Sequence, residues 1–171
     1  IEYKESTTVP ALIKIFMEAI DNPIDVAIKH NLTNMTISIK VDNESIEVSD
    51  DGTGIPNIKC ADLDEYIIFK AFCKYNTSSN YNEFKNQGQK GTNGIGIKGS
   101  NTLSTEFIGI SDDGKSKVTV IATENNLHHQ IKESKSSGKS GVTVKFKPDF
   151  KIIDGNKIDD EHIKRMYEYV L

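Results

Sequence analysis

The chain of 171 residues carries a formal net charge of −4, and 36% of its residues are hydrophobic. These values predict a single folded domain over residues 1–171, with a sizeable core. The negative charge argues against a domain that grips DNA by its phosphates on its own, because such domains are usually basic. No apolar run approaches the roughly 20 residues that span a bilayer, so the sequence predicts no membrane segment.

The first part of the chain predicts a long helix followed by a hairpin. Apolar residues recur at helical spacing over Pro10–Lys29, and Thr8 stands at the expected capping position. Two alternating segments, Met35–Val41 and Ser45–Ser49, then predict strands joined by a turn.

The second part predicts two helices, four strands and a final helix. The polar segment Asn76–Lys90 is long enough to favour a functional lid over a plain connector. The predicted elements are helices over Leu63–Tyr75 and Ile95–Ser104, strands over Glu106–Ile110, Lys117–Ala122, His128–Glu133 and Val142–Phe146, and a last helix over Glu161–Leu171 capped by Asp159. Helices followed by successive strands predict an α/β fold, a two-layer sandwich of a mixed, mostly antiparallel sheet with helices on one face.

A polar face on the first helix is the first candidate site. Glu18, Asp21, Asn22 and Asp25 stand at positions i, i+3, i+4 and i+7, which place them on one side of the helix. Such a face is often only solvated. It also offers a carboxylate that can polarise a water molecule and an amide oxygen that can hold Mg²⁺. Pro23 removes one helical hydrogen bond directly after Asn22 and predicts a kink.

The segment Asp50-Asp51-Gly52-Thr53-Gly54 follows the second predicted strand. A surface turn would have the same composition. An aspartate at a strand end can also accept a hydrogen bond from an exocyclic amine, and glycines let a flat ring approach the backbone. The segment is therefore a candidate site for a nucleobase.

A glycine-rich motif, Gly91-Thr92-Asn93-Gly94-Ile95-Gly96-Ile97-Lys98, leads into a predicted helix. Glycines expose backbone amides, and a helix N-terminus attracts phosphate. A dinucleotide-binding unit is excluded because the motif follows a polar loop rather than a strand, and antiparallel strands come after it. Lys98 lies near the helix start and could reach a terminal phosphate.

Together these motifs resemble the ATPase superfamily shared by DNA gyrase, heat-shock chaperones, histidine kinases and mismatch-repair clamps, whose fold is the Bergerat type. Three further segments resemble type II DNA topoisomerases of the eukaryotic and T-even bacteriophage kind. They are Thr77-Ser78-Ser79-Asn80-Tyr81, Asn101-Thr102-Leu103-Ser104-Thr105-Glu106-Phe107 and Gly141-Val142-Thr143-Val144-Lys145-Phe146-Lys147-Pro148-Asp149. The resemblance covers about Val9 to Leu171.

The resemblance implies a role for each matching residue. Glu18 is similar to the general base that activates water, and Asn22 to the magnesium ligand. Asp50 falls where the family places an Asp or Asn beside the adenine. The other implied nucleotide-binding residues are Gly52, Gly54, Ile55, Ser78, Ser79, Asn80, Gly91, Thr92, Asn93, Gly94, Ile95, Gly96, Ile97, Lys98 and Thr143. Val142 is a departure, because relatives often have a threonine there near the adenine.

The resemblance also implies the working context of the domain. Its cofactors would be ATP and Mg²⁺, and ATP binding would close two copies into a homodimer. DNA would be bound by the full-length enzyme rather than by this domain alone. A transducer domain, with a lysine that reaches the γ-phosphate, and a DNA-cleavage domain would lie outside this chain, so we expect weak hydrolysis from the chain alone. The enzyme would act inside the cell, and its phage branch allows a viral origin.

Three alternatives compete with this interpretation. A mismatch-repair clamp ATPase should carry a Gly-Phe-Arg-Gly-Glu-Ala loop, which Gly94-Ile95-Gly96-Ile97-Lys98-Gly99 does not match. A histidine kinase catalytic domain would transfer phosphate to a histidine on a partner helix, and no such helix is evident in the sequence. A non-enzymatic, nucleotide-switched binding module would have no use for Glu18.

Overall fold

A computed structural model of the chain describes residues 8–60, 64–75 and 96–171. The predicted α/β fold is confirmed, with a six-stranded sheet and a layer of helices. The helices are α1 (Pro10–His30), α2 (Ile67–Cys73), α3 (Gly96–Thr102) and α4 (Asp160–Val170). The strands are β1 (Ile37–Val41), β2 (Ile46–Asp50), β3 (Lys59–Cys60), β4 (Glu65–Tyr66), β5 (Ser104–Asp112), β6 (Ser116–Thr123), β7 (His128–Lys135) and β8 (Gly141–Pro148).

The large sheet has the strand order β1-β2-β8-β5-β6-β7. Each of its pairings in the described part of the chain is antiparallel. The strand that comes last in the sequence, β8, therefore lies between β2 of the first hairpin and β5. This insertion brings the end of β2, where Asp50 lies, beside the start of β8 and the end of β5.

The core lies between α1 and one face of the sheet. Phe107 and Phe146 stack in its centre, with ring centroids 6.4 Å apart. The buried stripe of α1 consists of Leu12, Ile15, Phe16, Ala19, Ile20 and Pro23. The opposite face of the sheet carries polar pairs across neighbouring strands, such as Lys40 with Glu47 at 2.7 Å. This alternation follows from the period of two along each strand.

The long first helix has the predicted extent, but its cap differs from the prediction. Thr8 is not the cap. Val9 holds that position without a side-chain cap bond, and its N–H donates to His162 Nε2 at 3.0 Å. The helix continues through Pro23, and Asn31 ends it in the left-handed conformation at φ 52°.

The helix predicted over Leu63–Tyr75 is shorter in the structure, and Leu63 itself lies outside the described residues. Glu65 and Tyr66 instead form β4, which pairs with β3 in a small two-stranded sheet. Tyr66 also donates a hydrogen bond to Glu133 of β7 at 2.7 Å. The bond to Glu133 comes from a residue distant in sequence, so helical periodicity alone could not predict it.

The final helix begins as predicted. Asp159 is its N-cap and accepts a hydrogen bond from the His162 N–H at 3.0 Å. Met166 is buried against the rest of the molecule, so α4 packs as part of the core. None of the helices that the structure describes is long and apolar enough to cross a membrane.

Candidate functional site

Glu18 of α1 lies directly against Gly96, the first residue of α3. A Cβ atom at position 96 would overlap the Glu18 Oε2 atom, so any larger residue there would require this carboxylate to move. The other oxygen, Oε1, pairs with Lys14 Nζ at 2.5 Å. This pairing raises the pKa of Lys14 above its ordinary value, chiefly through the hydrogen bond to Glu18. The polar face of α1 and the end of the glycine motif therefore meet at one carboxylate.

Asn22 stands one turn after Glu18 on the same face of α1 and is exposed. Its amide oxygen suits Mg²⁺, which prefers oxygen ligands and keeps several positions for water and substrate phosphates. In the described part of the chain, no group of three or more His, Cys, Asp or Glu side chains could hold a metal ion. The residues present thus fit an ion that arrives with phosphates and takes one protein oxygen, rather than an ion caged by carboxylates.

Asp50 ends β2 on the helix-covered face of the sheet, in line with the buried Ile46 and Val48. Its Oδ1 atom accepts a hydrogen bond from the Gly52 N–H at 2.9 Å. Burial raises the pKa of Asp50, although this hydrogen bond and one from the Val142 N–H oppose the rise. A half-buried carboxylate at a strand end is a strong acceptor for a donor on a bound ligand.

The loop after Asp50 is fixed by the end of β5. Ile55 donates its N–H to Ser111 Oγ at 2.7 Å, and that hydroxyl donates back to the Ile55 carbonyl at 2.8 Å. Gly54 has φ +71°, and a Cβ atom there would overlap the Asp112 carbonyl. At Gly52 a Cβ would come within 2.9 Å of Asp50 Oδ1. Gly54 is therefore required by a backbone contact within the chain, whereas the atoms nearest to Gly52 belong to side chains.

Two residues that the sequence did not single out hold the same corner. Gly141 has φ +153°, and a Cβ atom there would overlap the Asp50 carbonyl. Asp112 is buried and accepts hydrogen bonds from Ser136 Oγ at 2.6 Å and from the Ser137 N–H at 2.8 Å. These bonds hold the pKa of Asp112 far below its usual range. The loop before β8 is thereby tied to the end of β5, next to Asp50.

Thr143 does not lie on the same face of the sheet as Asp50. The register pairs Asp50 with Val142, and Thr143 with Ser49. Residues opposite one another in a sheet share a face and neighbours along a strand alternate, so Thr143 faces away from the helix layer. The implied adenine contact of Thr143 stays a prediction, and the register places its side chain on the face opposite to that of Asp50. Val142 is the side chain beside Asp50.

The described part of the glycine motif begins at Gly96. Ile97 is 6% exposed and belongs to the core, so only its backbone is available to a ligand. Lys98 is 5% exposed, and burial lowers its pKa. Its charge interacts with Cys73 and with Lys70 of α2. Helix α3 is held on α1 by the Ser100 hydroxyl, which donates to the Ile15 carbonyl at 2.9 Å.

Several predicted site residues lie outside the described part of the chain. They are Ser78, Ser79, Asn80, Gly91, Thr92, Asn93, Gly94 and Ile95. Their roles remain predictions from the resemblance. The clefts lined by Val9 and Ile153, and by Asn43 and Phe150, share no residue with the site around Glu18 and Asp50.

Sequence reasoning missed Lys14 although its signal is present. Lys14 and Glu18 stand at positions i and i+4, the spacing at which helical ion pairs form. Gly141 had a weaker signal, a glycine directly before an alternating strand. Ser111 and Asp112 had none, because a serine and an aspartate at a strand end are ordinary.

The chain matches the family model described as histidine kinase-, DNA gyrase B- and HSP90-like ATPase over residues 9–152. DNA topoisomerase 2 of Plasmodium falciparum is 32% identical over 178 residues, which cover 96% of this chain and 13% of that protein. The DNA topoisomerase large subunit of Enterobacteria phage T4 is 28% identical over 160 residues, which cover 91% of this chain and 31% of that subunit. This chain therefore spans only a small part of the curated relatives.

The fold is also similar to solved structures of topoisomerase ATPase regions. The crystal structure of the ATPase region of Saccharomyces cerevisiae topoisomerase II matches with a TM-score of 0.86 and 31% identity, over 98% of this chain and 46% of that one. The ATPase and transducer domains of Balamuthia mandrillaris DNA topoisomerase II match with a TM-score of 0.83 and 26% identity, over 94% of this chain and 43% of that one.

Proposed function

Because this chain belongs to the family of histidine kinase-, DNA gyrase B- and HSP90-like ATPases, we propose that it binds ATP with Mg²⁺ and hydrolyses the terminal phosphate. The observation that carries the proposal is the contact between Gly96 and the Glu18 carboxylate. It joins the end of a phosphate-binding motif to a base candidate.

Glu18 acts on the attacking water in this proposal. Its carboxylate accepts a proton while the water oxygen forms a bond to the γ-phosphorus and the bond to the β–γ bridging oxygen breaks, releasing ADP and phosphate. Lys14, paired with Glu18 Oε1 at 2.5 Å, fixes the side chain and leaves Oε2 facing Gly96. Such a base typically contributes about 10²–10⁴-fold to the rate.

Asn22 would hold Mg²⁺ through its amide oxygen. The ion, when bound, neutralises charge on the phosphate oxygens. Lys98 and the backbone amides at the start of α3 would bind the same phosphates from the other side. Phosphate oxygens near Lys98 would offset the burial that lowers its pKa, because an opposite charge favours the ammonium form.

Asp50 would select the base. Its carboxylate accepts a hydrogen bond from the exocyclic amine of adenine, while Val142 beside it offers an apolar contact to the ring. Guanine carries a carbonyl at the corresponding position, which would face the carboxylate as a second acceptor. Leaving a buried acceptor unpaired costs about 1–3 kcal/mol, enough to discriminate between the two bases.

We further propose that the chain is the ATPase domain of a type II DNA topoisomerase large subunit. Its similarity to curated relatives supports this, since they are topoisomerases from eukaryotes and phage T4. In such an enzyme, ATP binding would close two copies into a homodimeric gate around DNA, and hydrolysis would reset it. DNA would be bound by the whole enzyme, which would act inside the cell. The same relatives favour this proposal over a mismatch-repair clamp or a histidine kinase.

Calorimetry on the chain would test the nucleotide proposal. A non-hydrolysable ATP analogue should bind with Mg²⁺ present and lose its affinity when EDTA removes the ion. The matching GTP analogue is the control for the nucleobase. It carries the same phosphates, but guanine presents a carbonyl to Asp50 where adenine presents an amine, so it should bind far more weakly. Equal affinity with and without EDTA would remove the magnesium role of Asn22. Equal affinity for both bases would remove the role of Asp50.

A further inference from the structure

Tyr169 of helix α4 reaches the polar face of α1. The Tyr169 hydroxyl donates a hydrogen bond to Asp21 Oδ1 at 2.5 Å. The same helix binds the start of α1, where the Val9 N–H donates to His162 Nε2 at 3.0 Å. Met166 lies between them and is 2% exposed. Residues 162, 166 and 169 share one face of α4, so this face holds α1 at two separate points.

The second of these points lies where α1 is weakest. Pro23 stands inside the helix and is buried. It has no N–H to donate to the carbonyl four residues earlier, that of Ala19, and its ring crowds the same turn. Asn22, the residue that would hold Mg²⁺, belongs to this weakened turn. Asp21 also belongs to it and is the residue that Tyr169 binds.

We propose that Tyr169 is a positioning residue, whose hydrogen bond to Asp21 braces the Pro23-weakened turn of α1 and so holds Asn22 in place for the metal–nucleotide complex. This inference rests on the proposed function for the role of Asn22. The brace itself is a property of the ligand-free chain. The hydrogen bond to Tyr169 also gives Asp21 a role, because the proposed hydrolysis assigns none to this residue.

The geometry separates Asp21 from the metal position. Consecutive helical residues point about 100° apart, so the Asp21 side chain, which meets Tyr169 of α4, points in a different direction from the Asn22 side chain. Its hydrogen bond raises the pKa of Tyr169 to about 12. The hydroxyl therefore keeps its proton, and remains a donor to Asp21, throughout the neutral range. Asp21 serves as the anchor of the brace rather than as a second ligand.

The test replaces Tyr169 by phenylalanine, which removes only the hydroxyl. The matched control is Tyr167→Phe, because Tyr167 lies on the same helix and is 64% exposed. In the ligand-free chain, amide hydrogen exchange over residues 19–26 should be about 3- to 10-fold faster in Tyr169→Phe, the factor that one hydrogen bond supplies. The Mg²⁺-dependent affinity for a non-hydrolysable ATP analogue should fall by a similar factor, while any weak residual affinity in EDTA should be the same in both proteins.

A second variant separates the brace from general stability. Pro23→Ala restores the missing N–H, so in that background Tyr169→Phe should lose most of its effect on exchange and on Mg²⁺-dependent affinity. An undiminished effect would overturn the link to the weakened turn.

Three other results would also be decisive. Exchange over residues 19–26 equal to that of the Tyr167→Phe control would refute the brace. Faster exchange with unchanged Mg²⁺-dependent affinity would refute the positioning of Asn22 and leave a purely structural bond. If the unaltered chain bound no nucleotide, the proposed function would fail, and with it the role of Asn22, while the exchange measurement would still decide the brace.

Discussion

Val142 lies beside Asp50 on the helix-covered face of the sheet, because the two residues are register partners between β8 and β2. Thr143, its neighbour, lies on the opposite face with Ser49. We therefore expect Thr143→Val to leave the affinity for an adenine nucleotide within about twofold, as for other substitutions away from a site. Val142→Thr places a hydroxyl next to Asp50 and should strengthen binding by about 3- to 10-fold.

Calorimetry with one ATP analogue on both variants would check this prediction. A loss of binding in Thr143→Val, with no change in Val142→Thr, would mean that the nucleotide does not lie on the helix-covered face.

The contact between Gly96 and Glu18 predicts a strong effect of one added methyl group. In Gly96→Ala the new Cβ atom would overlap Glu18 Oε2, so the carboxylate must move. A catalytic group displaced by about 1 Å can cost about 10²-fold in rate. Gly99→Ala is the control in the same helix, since a Cβ at that position meets nothing within 4 Å. That variant should keep its activity and gain about 0.5–1 kcal/mol in the free energy of unfolding.

Steady-state ATPase assays on both glycine variants would measure the predicted loss of rate, and thermal unfolding would measure the predicted gain in stability. Equal hydrolysis by Gly96→Ala and Gly99→Ala would show that the carboxylate of Glu18 has no fixed task in the reaction.

Alanine variants of Glu18 and Asn22 should affect different quantities, the first the hydrolysis rate and the second the nucleotide affinity. Glu18→Ala should keep nucleotide affinity within a few fold and remove most hydrolysis, because a general base acts in the transition state and contributes about 10²–10⁴-fold. Asn22→Ala should instead weaken Mg²⁺-dependent binding, since the amide oxygen of this residue would hold the ion. Binding is measured on the chain and hydrolysis on a longer protein that contains it. Full hydrolysis by Glu18→Ala would contradict the base.

Asp50 predicts a pH-dependent affinity. Its pKa is raised in the folded chain by burial, so the carboxylate takes up its proton at a higher pH than the ordinary value of 3.8. A charged carboxylate accepts a hydrogen bond from an amine more strongly than a neutral acid does. Nucleotide affinity should therefore fall as the pH drops through the raised pKa. Asp50→Asn, which keeps an oxygen acceptor but cannot titrate, should lack this part of the pH dependence.

Two alanine variants complete the test of Asp50. Asp50→Ala should lose about 10- to 100-fold in affinity, the value of an unpaired buried partner. Asp51→Ala should bind nucleotide almost normally, because the Asp51 carboxylate faces away and accepts a hydrogen bond from the Thr36 N–H at 2.6 Å. If Asp51→Ala were the more sensitive variant, adenine would be bound by Asp51 rather than by Asp50, which would contradict the proposal.

Asp112 predicts a loss of stability in acid. Its folded-state pKa lies far below the ordinary value of 3.8, because Ser136, Ser137 and Gly114 donate hydrogen bonds to the carboxylate. The stabilisation is therefore fully present above the ordinary pKa and is lost as the pH falls below it toward the lowered one. Asp112→Asn should lower Tm at neutral pH and flatten its fall in acid. Asp154→Asn, at an exposed position, is the control and should change neither.

Much of the site could be predicted because the relevant patterns are local. The polar face with Glu18 and Asn22 follows from helical periodicity, and the strand that ends at Asp50 follows from alternation. The alternation in Val142-Thr143-Val144 is a local pattern of the same kind, although the prediction for Thr143 did not use it. The resemblance suggested a threonine contact against that local signal, and the register of β8 with β2 supports the local signal.

The tertiary structure decided which distant residues meet. No spacing in the sequence indicates that Gly96 lies against Glu18, that Gly141 lies against Asp50, or that Tyr169 binds Asp21. Each of these pairs forms because β8 inserts between β2 and β5 and because α3 and α4 both pack on α1. Periodicity in the sequence determines which face of an element is buried. Which element covers that face depends on packing between segments far apart in the chain, and that packing brings Gly96 of α3 and Tyr169 of α4 onto the polar face of α1.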